Sequence, residues 1–248
     1  MKKKVKKIRA DQLAVEKQLC ADLATARKHI LAGNLRIGSD QVIRNASEMI
    51  KEDCDLVLNL PCPYVSRGAY KLIPALDAHL QDLRGLTALD VGASTGGFTD
   101  LILQRGARKV YTVDVGRGQL HQKLRLDPRV VCNEQVNARA LEPDFLPESV
   151  DIITMDVSFI SVTKVLPSVN QFLKEGGSAF ILIKPQFEAE QHEIMQGGVV
   201  VEEEIRLKYV EKIKEFARLE LGWKTLSVIP SPIKGPKGNQ EYLATFAK

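Results

Sequence analysis

Apolar positions along the chain fall into two regimes. Between Asp11 and about Ile30, the residues Leu13, Ala14, Leu19, Leu23, Ala26, Ile30 and Leu31 recur at helical spacing, which predicts one or two short amphipathic helices ended by Gly33-Asn34. Leu35-Arg36-Ile37, Gly38-Ser39-Asp40 and Gln41-Val42-Ile43 then read as a tight hairpin, and residues 55–60 as another strand. Pro61-Cys62-Pro63 breaks the pattern like a linker. Residues 1–62 are therefore expected to form a small α+β module with its linker, and residues 63–248 a larger domain.

Beyond the linker, apolar runs alternate with helical stretches. Strands are expected at 87–90, 109–114, 130–132, 152–156, 179–184, 225–229 and 242–247, with helices at 97–105, 162–173 and 202–221 among the intervals. This alternation predicts a doubly wound, Rossmann-like α/β domain with a mostly parallel sheet, whose ligands bind beyond the carboxyl ends of the strands. The last two strands, separated only by a Pro/Gly-rich loop at 230–239, are expected to form a hairpin and an antiparallel edge.

At 248 residues and 44% hydrophobic content the chain can bury a sizeable core. It has no apolar run of ~18 residues, the length a membrane span needs. The basic start Met1-Lys2-Lys3-Lys4-Val5-Lys6-Lys7 is not followed by the apolar stretch of a signal peptide, so a cytoplasmic protein is expected. Cys20, Cys54, Cys62 and Cys132 show no C-x-x-C spacing and the four histidines are scattered, so no metal site is expected. Charge is uneven: residues 1–60 hold 12 Lys/Arg against 8 Asp/Glu, whereas the remainder holds 23 of each. A basic module with Arg27, Lys28, Arg36 and Arg44 beside a neutral domain suggests an appendage that binds a polyanion.

The first expected strand of the large domain runs into Asp90-Val91-Gly92-Ala93-Ser94-Thr95-Gly96-Gly97-Phe98. A glycine-rich turn opening a helix can cradle a dinucleotide pyrophosphate. Here the spacing is G-x-x-x-G-G rather than G-x-G-x-x-G, and Asp90 would repel a phosphate. S-adenosylmethionine suits the turn better, because its methionine end carries an ammonium and a sulfonium. Asp114 ends the next strand, where an acid can hydrogen-bond ribose hydroxyls under either nucleotide reading. Asp156 and Lys184 each end an apolar run on the same rim, a placement that favours a functional pair.

Residues 11–60 resemble an S4 RNA-binding domain, with the departure that Ala10 stands where a larger apolar residue is expected. Lys71, Asp156, Lys184 and Glu241 match the order and context of the Lys-Asp-Lys-Glu tetrad of ribose 2′-O-methyltransferases. With Ser66-Arg67-Gly68-Ala69-Tyr70-Lys71-Leu72, Leu89-Asp90-Val91-Gly92-Ala93-Ser94-Thr95-Gly96-Gly97-Phe98-Thr99-Asp100, Met155-Asp156-Val157-Ser158-Phe159-Ile160-Ser161 and Ile183-Lys184-Pro185-Gln186-Phe187-Glu188 in order, the chain resembles the TlyA (haemolysin A) family over essentially its whole length.

The resemblance implies a class I S-adenosylmethionine-dependent, FtsJ-like methyltransferase domain behind an S4-like domain, acting on a ribose 2′-hydroxyl, a cytidine's, in ribosomal RNA. It implies cofactor contacts from Asp90, Gly92, Ser94, Gly96, Gly97, Phe98, Asp114, Val115, Asn137 and Asp156. Backbone contacts to RNA are expected from Arg67, Lys234 and Lys237. In this reading Lys184 orients or deprotonates the hydroxyl, Lys71 adds charge, and Asp156 and Glu241 position the two ammonium groups. The neighbouring ammonium and partial burial are expected to lower the lysine pKa. The traces of other methyl transfers are missing, since Asp156-Val157-Ser158-Phe159 replaces the [Asn/Asp]-Pro-Pro-[Tyr/Phe] turn of adenine amino methylation. Cys132 lies away from the rim where a cytosine-attacking cysteine would sit. Two rival readings are a membrane-active haemolysin and an RNA-binding protein with a vestigial site.

Overall fold

The computed structural model describes residues 5–248, and the chain forms two compact units, Met1–Pro63 and Tyr64–Lys248. In the first, β1 (Lys7–Arg9) leads into α1 (Ala10–Glu16) and α2 (Leu23–Leu31), followed by β2 (Leu35–Ile37), β3 (Gln41–Val42), β4 (Met49–Lys51) and β5 (Leu56–Leu58). The Asp22 carboxylate caps α2 by accepting from the Thr25 N–H at 2.7 Å, and Gly33, with φ of 71°, turns the chain out of it. The hairpin expected at 35–43 is present, with β2 antiparallel to both β3 and β5. A second small sheet, β1 against β4, was not expected, because three-residue strands are too short to show an alternation. Ala10 is fully buried at the start of α1 in a core with Leu13, Ala26, Ile30 and Ile43.

The second unit opens with α3 (Ala69–His79) and continues as β6 (Thr87–Val91), α4 (Gly97–Gln104), β7 (Lys109–Asp114), α5 (Gln122–Arg125), β8 (Val130–Glu134) and β9 (Val150–Met155). Then come α6 (Leu166–Asn170), β10 (Leu173–Ile183), α7 (Pro185–Glu188), α8 (Glu203–Leu221), β11 (Lys224–Pro230) and β12 (Tyr242–Ala247). The strands make one sheet in the order β11-β12-β10-β9-β6-β7-β8. Strands β6 to β10 run parallel to one another, and β12 is antiparallel to both β10 and β11. Apolar clusters cover both faces: Leu72, Leu76, Leu101 and Ile102 on one, Leu166, Val210, Ile213 and Trp223 on the other. This is why the central strands read as continuous apolar runs rather than alternating ones.

The last two strands form the expected antiparallel hairpin at one edge of the sheet: β12 inserts between β10 and β11, its residues Tyr242 to Phe246 are buried, and β11 takes the edge. One expectation needs correction. The helix expected over 162–173 is a short 3₁₀ turn at Val162–Lys164 followed by α6, where Pro167 has no N–H to continue the earlier turn, and it ends at Asn170, beyond which the Val150 N–H donates to the Phe172 carbonyl at 2.7 Å and Leu173 enters the sheet. Among the described residues no helix is long and apolar enough to cross a membrane, and no His/Cys/Asp/Glu group could hold a metal ion.

Candidate active site

The sheet places the carboxyl ends of β6, β7, β9 and β10 along one rim, and β12 begins there with Glu241 just ahead of it. At the end of β6 the chain must turn close beneath the β9 terminus. Gly92 has φ of 78°, and a Cβ there would stand 2.6 Å from the Asp156 carbonyl oxygen, so only glycine fits. The turn is held by backbone bonds to β7: the Gly92 N–H donates to the Val113 carbonyl at 2.8 Å, and the Ser94 N–H to Asp114 Oδ2 at 2.8 Å. Asp114 Oδ1 accepts from the Gly116 N–H at 2.7 Å, which leaves each carboxylate oxygen further lone-pair capacity for ribose hydroxyls.

This turn borders a cleft of about 330 Å³ lined by Gly92, Ser94, Asp114, Val115, Val136, Asn137, Asp156 and Ile160, among others. Apolar walls with a few convergent polar groups suit the adenosine part of S-adenosylmethionine. Beside it lies a cavity of about 270 Å³ lined by Lys71, Asp90, Gly97, Lys184 and Glu241, and the two share Gly92, Ser94, Asp156 and Ser158.

The tetrad assembles in that smaller cavity from four separate elements. Lys71 Nζ donates to Glu241 Oε2 at 2.8 Å and lies 3.5 Å from Asp156 Oδ2, while Lys184 Nζ is 2.6 Å from Asp156 Oδ1. Asp156 thus bridges two ammonium groups, and Glu241, fully buried, also accepts from Gln186 Nε2 at 3.3 Å. Burial opposes the Lys71 charge, but Asp156 and Glu241 outweigh it and raise its pKa above the ordinary lysine value.

Asp90 borders the smaller cavity from a buried position. It is 1% exposed, its oxygens accept from the Thr99 and Thr154 hydroxyls at 2.6 and 2.9 Å, and burial lifts its pKa to about 6. Gly96 borders neither cavity: with φ of 94° it starts α4, and a Cβ there would strike Leu124. Phe98 packs in the core with Leu72 and Leu101 and also borders the smaller cavity. Val115, 72% exposed, and Asn137, whose Oδ1 accepts from the Arg139 N–H, both line the larger cleft. Arg67, Lys234 and Lys237 are exposed, and Lys237 Nζ donates to the Gly197 carbonyl at 2.6 Å.

Ser158 was overlooked. Its Oγ accepts from Lys184 Nζ at 2.8 Å, and its place two residues after Asp156 was the available signal. Phe159 was overlooked as well: 90% exposed with φ of 63°, it meets the Phe187 ring at 5.0 Å.

The model of the FtsJ-like methyltransferases matches residues 64–248. The chain belongs to that family. This FtsJ-like chain is 39% identical over 238 residues to the 16S/23S rRNA (cytidine-2′-O)-methyltransferase TlyA of Mycobacterium tuberculosis, covering 96% of itself and 88% of that relative. It is 37% identical over 241 residues to hemolysin A of Brachyspira hyodysenteriae, covering 96% and 99% of the two chains. A solved structure of a candidate hemolysin from Streptococcus thermophilus superposes with a TM-score of 0.73 at 39% identity, over 99% of this chain and 90% of the other. The resemblance to the TlyA family read from the motifs is thereby borne out, as is the methyltransferase fold of the larger unit.

Proposed function

We infer that this FtsJ-like chain transfers a methyl group from S-adenosylmethionine to the 2′-hydroxyl of a cytidine in ribosomal RNA. The observation that carries this reading is the pair of lysines and pair of carboxylates lining the smaller cavity, Lys71–Glu241 at 2.8 Å and Lys184–Asp156 at 2.6 Å, with Asp156 also bordering the larger cleft. The TlyA relative, named for that reaction, covers nearly the same length and supports the substrate class.

Gly92, Ser94, Asp114, Val115 and Asn137 would hold the cofactor, which supplies a methyl carbon activated on a sulfonium. A ribose hydroxyl is a weak nucleophile and must be aligned and relieved of its proton as it attacks. Lys184 gives one N–H to Asp156 and one to Ser158, and its third N–H is available to a ribose oxygen. In that form Lys184 is assigned to orient the hydroxyl; it takes the hydroxyl proton only when it has first given up one of its own. Lys71, with its raised pKa, stays an ammonium: it fixes Asp156 and Glu241 rather than taking a proton.

Residues 1–62 act in this reading as the S4-like RNA-binding domain, holding structured RNA through phosphate contacts. Lys28 and Arg44 are exposed there, Arg27 is held by Asp11 Oδ2 at 3.0 Å, and Arg36 donates to the Ser39 carbonyl at 3.2 Å. Arg67, Lys234 and Lys237 are the basic contacts assigned to the larger unit. Action on ribosomal RNA implies a cytoplasmic location. The test is methyl transfer from labelled S-adenosylmethionine to ribosomes, separated subunits and naked ribosomal RNA, with the labelled nucleoside identified after digestion. A 2′-O-methylcytidine is expected; a base-methylated nucleoside would overturn the reading.

A further inference from the structure

Two segments lie side by side at the acceptor rim: the loop after β9 and the turn formed by α7. They are joined at three places. At one end Lys184 Nζ bonds Asp156 Oδ1 at 2.6 Å and Ser158 Oγ at 2.8 Å. In the middle the Phe159 and Phe187 rings meet at 5.0 Å. At the other end the Glu188 carboxylate accepts from the Ser161 hydroxyl and, at 2.8 Å, from the Val162 N–H.

Glu188 is only 7% exposed. Burial raises its pKa, against the two hydrogen bonds and the neighbouring Lys164 and Lys212. A carboxylate placed out of water is destabilising unless its bonds are made, so this one holds the loop firmly only in the position observed. The loop needs such holding, because Phe159 sits in the left-handed region that non-glycine residues avoid.

Resting on the methyl-transfer reading above, we propose that Glu188 is a positioning residue for the acceptor site: its clasp on Ser161 and Val162 fixes Ser158, and through Ser158 the Lys184 ammonium. The simpler alternative is a helix cap, since the same carboxylate also satisfies the start of the 3₁₀ turn at Val162–Lys164. A cap alone would change the melting temperature and leave turnover untouched.

The experiment compares the full chain with Glu188→Ala, Glu188→Gln, Ser158→Ala and Glu188→Ala/Ser158→Ala, measuring kcat and KM on ribosomal subunits, cofactor Kd and melting temperature. Glu188→Ala should lower kcat roughly 10- to 100-fold, the scale set by a misplacement of about 1 Å, with cofactor Kd little changed. Glutamine can accept from Val162 and donate to Ser161, so Glu188→Gln should recover kcat to within about threefold. The double variant should fall no further than the worse single one, because both act on Lys184 along one route. If Glu188→Ala does not fold, Glu188→Gln and Ser158→Ala still decide: a Gln variant as inactive as Ser158→Ala overturns the proposal. A Glu188→Ala protein with unmutated kcat and KM and a lower melting temperature overturns it in favour of the cap. Absence of transfer by the unmutated chain overturns the underlying reading, and the clasp's role with it.

Discussion

The glycine turn and the charged tetrad at the rim, which the proposed function assigns to cofactor and acceptor, are built by opposite means. On the cofactor side the backbone does the work: Gly92 passes beneath the Asp156 carbonyl, and the carboxylates are committed to N–H or hydroxyl donors, Asp114 to Ser94 and Gly116, Asp90 to Thr99 and Thr154. On the acceptor side charged side chains hold one another, with Asp156 between Lys71 and Lys184 and Glu241 beneath Lys71. A shape made by backbone fails when a side chain is added. A shape made by paired charges fails when one partner is removed. The difference teaches that cofactor binding and methyl transfer should be separable by mutation.

The largest expected separation comes from Lys184→Ala, which should cut methyl transfer by roughly a thousandfold or more while leaving cofactor Kd nearly unchanged, measured by radiolabel transfer and calorimetry. Gly92→Ala attacks the other side: a methyl 2.6 Å from a backbone oxygen must displace the turn, and cofactor affinity should fall about 100-fold. Lys71→Ala sharpens the charge argument, because it leaves the buried Glu241 without its cation. It should lose about 3 kcal/mol of stability in urea unfolding, and adding Glu241→Gln should restore stability without restoring transfer.

Asp90 gives a pH test of the cofactor side. Its pKa in the fold, about 6, lies above the ordinary 3.8, so the native state binds the proton more tightly than the unfolded chain. Its contribution therefore favours folding at low pH and is lost as pH rises from about 4 through 6, by up to about 3 kcal/mol. Asp90→Asn should remove that slope, making the variant relatively more stable at pH 8 than at pH 4 in paired urea titrations. An equal difference at both pH values would contradict the assignment. The smallest effect is expected in the small unit, where Lys28→Ala or Arg44→Ala should weaken RNA binding a few-fold and reduce the salt slope by about one each.

Much of this was legible along the chain. Buried parallel strands announce themselves as apolar runs, and Asp90, Asp156 and Lys184 each stand at the end of one. Lys71 and Glu241 became visible only as members of a known order of residues, since each alone resembles a surface charge. What the pattern concealed has physical reasons. Periodicity does not record pairing order, so which strand of the final hairpin lies beside β10 was not legible. Spacing does not measure proximity, so the two carboxylates that raise the Lys71 pKa were invisible as a sum. A threonine at position 99 or 154 carries no sign that it will bond a buried acid.

The most direct test of the separation is to measure cofactor binding by calorimetry and single-turnover methyl transfer on the same preparations of the unmutated chain, Gly92→Ala and Lys184→Ala. Lys184→Ala should bind cofactor as the unmutated chain does and transfer no methyl group, whereas Gly92→Ala should bind weakly and recover transfer as cofactor is raised. A Lys184→Ala protein that loses cofactor binding as severely as Gly92→Ala, or that transfers methyl groups at the unmutated rate, would contradict it.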